Sequence, residues 1–223
     1  MLYYANVCRA ASFGEGRDVM EEKRKILFYG DSNTYGYDPA DWFEYRYCAE
    51  KRWTYQLQNM CGDAWTVIPE GMNGRRLPDL IYDGRRILSM TGKLSDEDVF
   101  AVMLGTNDLL VTTDPDADEA VRRMDALLAF LTGRMDAKRI LVIAPPHIAG
   151  SGIRDFLYKR YHEESVRMNA GFREAAGRYG VMFADAGLWN IGLCFDQVHF
   201  SEEGHRVFAE RMAQFLTEMD GLH

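Results

Sequence analysis

Paired cysteines are missing from this sequence. Its four cysteines, Cys8, Cys48, Cys61 and Cys194, are scattered and form no CxxC pair, which excludes the common zinc-ligand spacings and the disulfide framework of a small secreted domain. Reduced thiols in a cytoplasm are the expectation. Positive charge is also short: 26 Lys and Arg stand against 34 Asp and Glu, for a net charge of −8. No basic stretch is dense enough to track a phosphate backbone, so nucleic acid is not an expected partner. Long apolar runs are absent, since a run such as Ile140 to Pro146 falls far short of the roughly 20 residues that cross a bilayer. The first residues, MLYYANVCRAASFGEGRD, lack the basic start and sustained apolar stretch of a secretory signal. Met20 is followed by the charged EEKRK and then by an apolar run, so residues 1–19 are read as an extension from an upstream start codon. N-terminal sequencing of the native protein tests that reading. The expected division is an N-terminal extension over 1–22 and one domain over 23–223.

What is present is the profile of a globular protein: 47% hydrophobic and 27% charged residues over 223 positions, a length that fits one domain of about 150 residues with a modest excess. Short apolar runs alternate with longer stretches of helical spacing and no linker or repeat intervenes, which is the pattern of βαβ units around a parallel sheet. The strands are expected near Lys25–Tyr29, Trp65–Pro69, Val99–Leu104, Arg139–Ala144 and Val181–Ala184. Each is nearly continuously apolar, as a strand covered on both faces must be. Ala117, Ala120, Val121, Met124, Leu127, Leu128 and Leu131 mark a helix opened by Asp114-Pro115. Another carries Phe208, Met212, Phe215, Leu216 and Met219 on one face, with Ser201 as N-cap and Glu202 and Glu203 in its first turn. A third runs from about Arg154 to Arg178. The fold class that follows is α/β: a three-layer α/β/α sandwich around a five-stranded parallel sheet. Ligands bind such sheets beyond the carboxyl ends of the strands.

Those ends carry polar constellations. The first strand runs into Gly30-Asp31-Ser32-Asn33-Thr34-Tyr35-Gly36, the second into Gly71-Met72-Asn73-Gly74-Arg75, and the third into Gly105-Thr106-Asn107-Asp108. Asp196-Gln197-Val198-His199 precedes the last helix. There is no GxxxxGK[ST] phosphate loop and no GxSxG elbow. Taken singly, each fragment reads equally well as a turn. In this order, serine, glycine, asparagine and Asp-x-x-His resemble the blocks of the SGNH hydrolases, also called the GDSL esterase family, over residues 24–218.

The resemblance implies a flavodoxin-like topology and a serine esterase that needs no cofactor or metal. Ser32 matches the nucleophile, His199 the base that a weakly nucleophilic hydroxyl requires, and Asp196 the carboxylate that orients the imidazole. The oxyanion would be met by the N–H groups of Ser32 and Gly74 and by the Asn107 side-chain amide. Release of the acyl-serine to an alcohol instead of water makes acyl transfer a side activity. Asn33 stands where the simplest pattern has leucine, and Asn73-Gly74 where it has Ser-Gly. The strings GDSNTYG and EGMNGR are most similar to the bacterial arylesterase and acyltransferase branch, whose members act on short acyl esters and sometimes assemble as homo-oligomers. Within that branch Trp42, Phe43, Trp189 and Phe195 are candidates to wall the acyl or alcohol pocket, although aromatic residues near strand ends more often pack in the core. Asp31 and Arg75 join Trp42, Trp189 and Phe195 as substrate-binding candidates, although Arg75 and Arg76 read first as solvated surface arginines. His205 falls inside the last helix and reads as structural. The loop Pro145–Asp155, with His147, lies where it can border the cleft.

Two other classes compete. A metal-dependent phosphoesterase would use Asp31, Asp108, Asp196, His199 and His205; chelator would stop it and a serine-directed organophosphonate would not. A flavodoxin-like binding module would hydrolyse no activated ester.

Overall fold

In the computed structural model, which describes residues 23–43, 45–150 and 155–221, the five apolar runs form parallel strands. They are β1 (Arg24–Gly30), β2 (Trp65–Gly71), β3 (Val99–Met103), β4 (Ile140–Ala144) and β5 (Met182–Asp185). The sheet order is β2-β1-β3-β4-β5. Strand ends differ from the sequence reading by one or two residues, most at β2, which continues past Pro69 to Gly71. Because β2 is an edge strand, the N–H that proline lacks is tolerated there. The expected extension over 1–22 lies outside the described residues.

Strand periodicity sorts the core into two layers. Leu27, Tyr29, Phe100, Val102, Ile140, Val142 and Ala144 face one cluster, which is closed by helices α3 (Leu80–Thr91), α5 (Ala117–Thr132) and α6 (Phe156–Tyr179). Ile26, Phe28, Val99, Ala101, Met103, Leu141 and Ile143 face the other, closed by α2 (Trp53–Cys61) and α7 (Glu202–Asp220). Successive residues on opposite faces, each meeting apolar partners, are what made these strands read as unbroken apolar runs.

The helix ends follow local capping chemistry. Ser201 Oγ accepts from Gly204 N–H at 3.0 Å, with Glu202 and Glu203 in the first turn of α7, as expected. The start of α5 is a correction: the N-cap is Asp116, not Asp114-Pro115, because the Asp116 carboxylate accepts from Asp118 N–H at 2.9 Å. Glu164 of α6 takes the Ala117 N–H at 2.9 Å, so a neighbouring helix shares in fixing that end. The N-cap of α6 is Asp155; Arg154, where the sequence placed its start, lies outside the described residues.

The connections decide where a site can form. From β1 the chain passes through α2 on one face to the edge strand β2, then through α3 on the opposite face to β3. The carboxyl ends of β1 and β3 therefore flank the point where the winding reverses, which opens a crevice in sheets of this kind. Two short helices, α1 (Ser32–Tyr35) and α4 (Thr106–Leu110), start directly at those ends. No described helix is long and apolar enough to cross a membrane. Cys48, Cys61 and Cys194 are free thiols.

Candidate active site

Ser32 opens α1 two residues past the end of β1, with Asp31 between them as the helix cap. The Asp31 carboxylate accepts the Asn33 N–H at 2.9 Å and is buried. Burial pushes this carboxyl up to about 6, against the pull of the Asn33 N–H and of His199 and Arg75. That placement corrects the expectation that Asp31 binds substrate: it is 2% exposed and spent on the cap.

Across a separation of 167 residues, His199 Nε2 lies 2.9 Å from Ser32 Oγ. The other ring nitrogen, Nδ1, is 2.6 Å from Asp196 Oδ2. Asp196 Oδ1 accepts the N–H groups of Val198 at 3.1 Å and His199 at 3.0 Å. Partial burial pushes the Asp196 carboxyl up, but the hydrogen bonds from the His199 ring and these backbone donors outweigh it and hold the group below the ordinary carboxylate range. An ionised carboxylate only accepts, so Nδ1 carries the proton and Nε2 presents its lone pair to the serine hydroxyl. Such a chain can take a proton from Oγ and return it to a leaving group.

On the β2 side, Arg75 N–H bonds to Met72 carbonyl at 3.1 Å and closes a turn. Gly74 within it has φ 72. A Cβ at Gly74 would meet nothing within 4 Å, so glycine is required there by backbone conformation and not by crowding. Gly71 shows the opposite case, because its Cβ would fall 2.2 Å from the Tyr35 backbone nitrogen. The turn and the serine helix are thus pressed together. Asn107, in the first turn of α4, donates Nδ2 to the Arg75 carbonyl at 3.0 Å. One amide proton is spent on that tether, and the second has no partner among the described residues. Asp108 adds a further tie, accepting Leu77 N–H at 2.9 Å and Arg123 Nη1 at 2.9 Å.

Arg75 is a correction to both earlier readings. It is 4% exposed, neither a surface arginine nor placed to meet substrate. Its guanidinium lies 4.2 Å over the Tyr29 ring and donates to the carbonyls of Gly30, at 2.8 Å, and Glu70. The Gly30 carbonyl also accepts the Met72 N–H at 3.2 Å, so the buried guanidinium adds a second donor there and ties the end of β1 to Glu70 near the end of β2. Arg76 is exposed and pairs with Asp108 at 3.5 Å.

The aromatic candidates divide. Trp42 and Phe195 are 75% and 71% exposed, and Phe43 is exposed as well, which sets core packing aside for them. Trp189 is a correction, since its ring packs on Phe208 at 5.3 Å against the α7 layer of the core. A residue that sequence reasoning passed over, Tyr37, has its ring 4.5 Å from the His199 imidazole and 6.1 Å from Tyr45. Gly36, with φ 85, ends α1 and turns the next residue back so that Tyr37 N–H bonds to Ser32 carbonyl at 3.0 Å. A glycine followed by an aromatic residue just past the serine was the available signal. In the Pro145–Asp155 loop, Ala149 N–H bonds to the Gln197 carbonyl at 3.1 Å; residues 151–154 of that loop lie outside the described residues.

The residues of the metal reading go to separate partners. Asp108 is held by arginines, and Asp196 and His199 by each other. His205 is buried in the core, where Nδ1 accepts Trp53 N–H at 3.3 Å. Among the described residues no group of three or more His, Cys, Asp or Glu side chains is placed to hold a metal ion.

No curated protein matches the chain. Solved structures do. A carbohydrate acetylesterase from Sinorhizobium meliloti aligns with TM-score 0.71 at 26% identity, covering 88% of this chain and 100% of that one. The M. smegmatis aryl esterase shares the fold, with TM-score 0.70 at 22% identity over 88% of this chain and 99% of that one. An acetylxylan esterase from Geobacillus stearothermophilus does so with TM-score 0.63 at 19% identity, over 88% and 94% of the two chains. Residues 28–207 match the model of the GDSL-like lipase/acylhydrolase family, a span that contains the serine, glycine, asparagine and histidine segments described above, and the chain belongs to that family.

Proposed function

We propose that this protein is a serine esterase that hydrolyses short-chain carboxylic acid esters, with Ser32 as nucleophile, His199 as general base and Asp196 as the group that orients it. The observation that carries the reading is the continuous hydrogen-bond chain from Ser32 Oγ through His199 to Asp196. His199 Nε2 takes the hydroxyl proton as Oγ attacks the acyl carbon. The tetrahedral oxyanion is met by the N–H groups of Ser32 and Gly74 and by the second amide proton of Asn107. The imidazolium then protonates the departing alcohol, and water, activated by the same histidine, releases the acid and restores Ser32. An alcohol in place of that water gives acyl transfer. The likeness to a carbohydrate acetylesterase at 26% identity supports a small acyl group. Trp42 and Phe195, exposed on the loop after α1 and beside Asp196, are the side chains proposed to meet the acyl or alcohol part.

The test is hydrolysis of p-nitrophenyl esters from acetate to decanoate by the wild type, Ser32→Ala and His199→Ala, with and without chelator. Acetate and butyrate should be turned over faster than decanoate. Either substitution should lower turnover roughly 10⁴-fold while the fold is kept. Activity that survives loss of Ser32 and vanishes in chelator would overturn the mechanism.

A further inference from the structure

His199 lies on a loop, in neither a helix nor a strand, and its base function requires Nε2 to be held within hydrogen-bond reach of Ser32 Oγ. Asp196 fixes the ring within its own loop, but a bond between neighbours three residues apart does not anchor that loop to the serine helix. The side chain next to the nucleophile does. Asn33 Oδ1 accepts the Phe200 N–H at 2.9 Å, and Asn33 Nδ2 donates to the Val198 carbonyl at 3.3 Å. These are the backbone groups on either side of His199. A side-chain amide carries the same donor and acceptor as a peptide, and gripping the carbonyl of one residue and the N–H two residues on is how one parallel strand holds another. Here a single amide performs that pairing.

The backbone of Asn33 is committed as well. Its N–H goes to Asp31 at 2.9 Å and its carbonyl accepts the Trp53 indole N–H at 2.9 Å. The Trp53 ring is buried between Phe28, at 4.8 Å, and Phe208, at 4.6 Å. The residue is 4% exposed. The core thus fixes Asn33, and Asn33 fixes the histidine loop. Leucine, the residue of the simplest motif pattern, makes neither side-chain bond.

Resting on the serine-esterase reading, we infer that Asn33 is a positioning residue that sets the His199 to Ser32 distance by clamping the backbone on both sides of the histidine. It touches no reacting atom. Its effect belongs in the steps that need the base, acylation and deacylation, and not in ester binding.

The test combines Asn33→Leu, Asn33→Asp and His199→Ala, read by kcat and KM on p-nitrophenyl acetate, by the rate of inactivation with a serine-directed organophosphonate, and by thermal unfolding. Asn33→Leu should lower kcat by roughly 10²-fold, the cost of a small misplacement of a reacting group. KM should stay within about threefold, and inactivation should slow in parallel with kcat. Asn33→Asp keeps the acceptor for Phe200 N–H and loses the donor to Val198, so its kcat should fall between the two; it carries the test alone should Asn33→Leu fail to fold. In a His199→Ala background the same substitutions should change the residual rate by less than about threefold, because the base they position is gone. A merely structural role would lower the rate in both backgrounds alike and would overturn the inference, as would a kcat unchanged in the folded single variant. If Ser32→Ala itself retains activity, the esterase reading fails, and that outcome is separate from an Asn33 effect that is absent while Ser32 is essential.

Discussion

His205 makes a quantitative demand on stability. The imidazole is buried between Tyr47 and Phe200, with ring centroids at 5.1 and 5.4 Å, and its Nε2 has no hydrogen-bond partner among the described residues. Burial, with smaller contributions from Arg52 and His199, pushes its pKa down from 6.5 to about 3. In the unfolded chain the same group regains a value near 6.5. Between those values the unfolded state binds a proton that the folded state refuses, so stability falls as pH drops from about 6.5 towards about 3, by about 1.4 kcal/mol per unit. At about pH 5 the loss is about 2 kcal/mol, a figure set almost wholly by the unfolded value because the folded one lies far below. His205→Gln removes the titration and leaves an amide oxygen able to accept the Trp53 N–H. Urea unfolding of both proteins at about pH 7.5 and about pH 5 should show the wild type losing about 2 kcal/mol more than the variant, since carboxylates common to both cancel in the difference. Equal losses would refute a buried neutral imidazole.

Asp31 gives the opposite sign. Its folded value of about 6 lies above the ordinary 3.8, so the stability it contributes is present at acid pH and is lost as pH rises through about 6. Asp31→Asn keeps the oxygen that caps Asn33 N–H and should raise stability by roughly 1–3 kcal/mol at about pH 7.5, with the two proteins converging below about pH 4; an unchanged or lowered urea midpoint at the higher pH counts against it. Asn107→Ala should lower kcat roughly 10²- to 10³-fold with KM little changed. Loss confined to KM in steady-state kinetics would mean that the amide binds ester and not oxyanion.

Much of the fold was legible in the sequence because of where each element lies. The central strands meet apolar partners on both faces, so their runs are unbroken and their ends were read to within a residue or two. The stripe of α5 and the Ser201 cap of α7 are local patterns, and they formed as read. The α5 start was not, because Asp116 competes with Asp114 for the cap and Glu164 from a helix packed beside it shares in the outcome. Arg75 was misread for a related reason. An arginine next to a glycine turn reads as solvated until the packing shows the carbonyls of Gly30 and Glu70 that accept its hydrogen bonds.

The sequence alone determined which chemical groups are available and in what order they meet the carboxyl edge of the sheet: a serine after β1, a glycine turn after β2, an asparagine after β3, and a carboxylate three residues before a histidine. Those are properties of residue type and short spacing. Tertiary structure decided the distances between them, because residues 32 and 199 meet only after the sheet is wound and α7 is packed. It also decided which bystanders matter: Tyr37 against the imidazole, Arg75 beneath the turn, and Asn33 spanning Val198 and Phe200. Contacts between segments far apart in the chain leave no periodic or local trace, so only the folded arrangement of those segments reveals them.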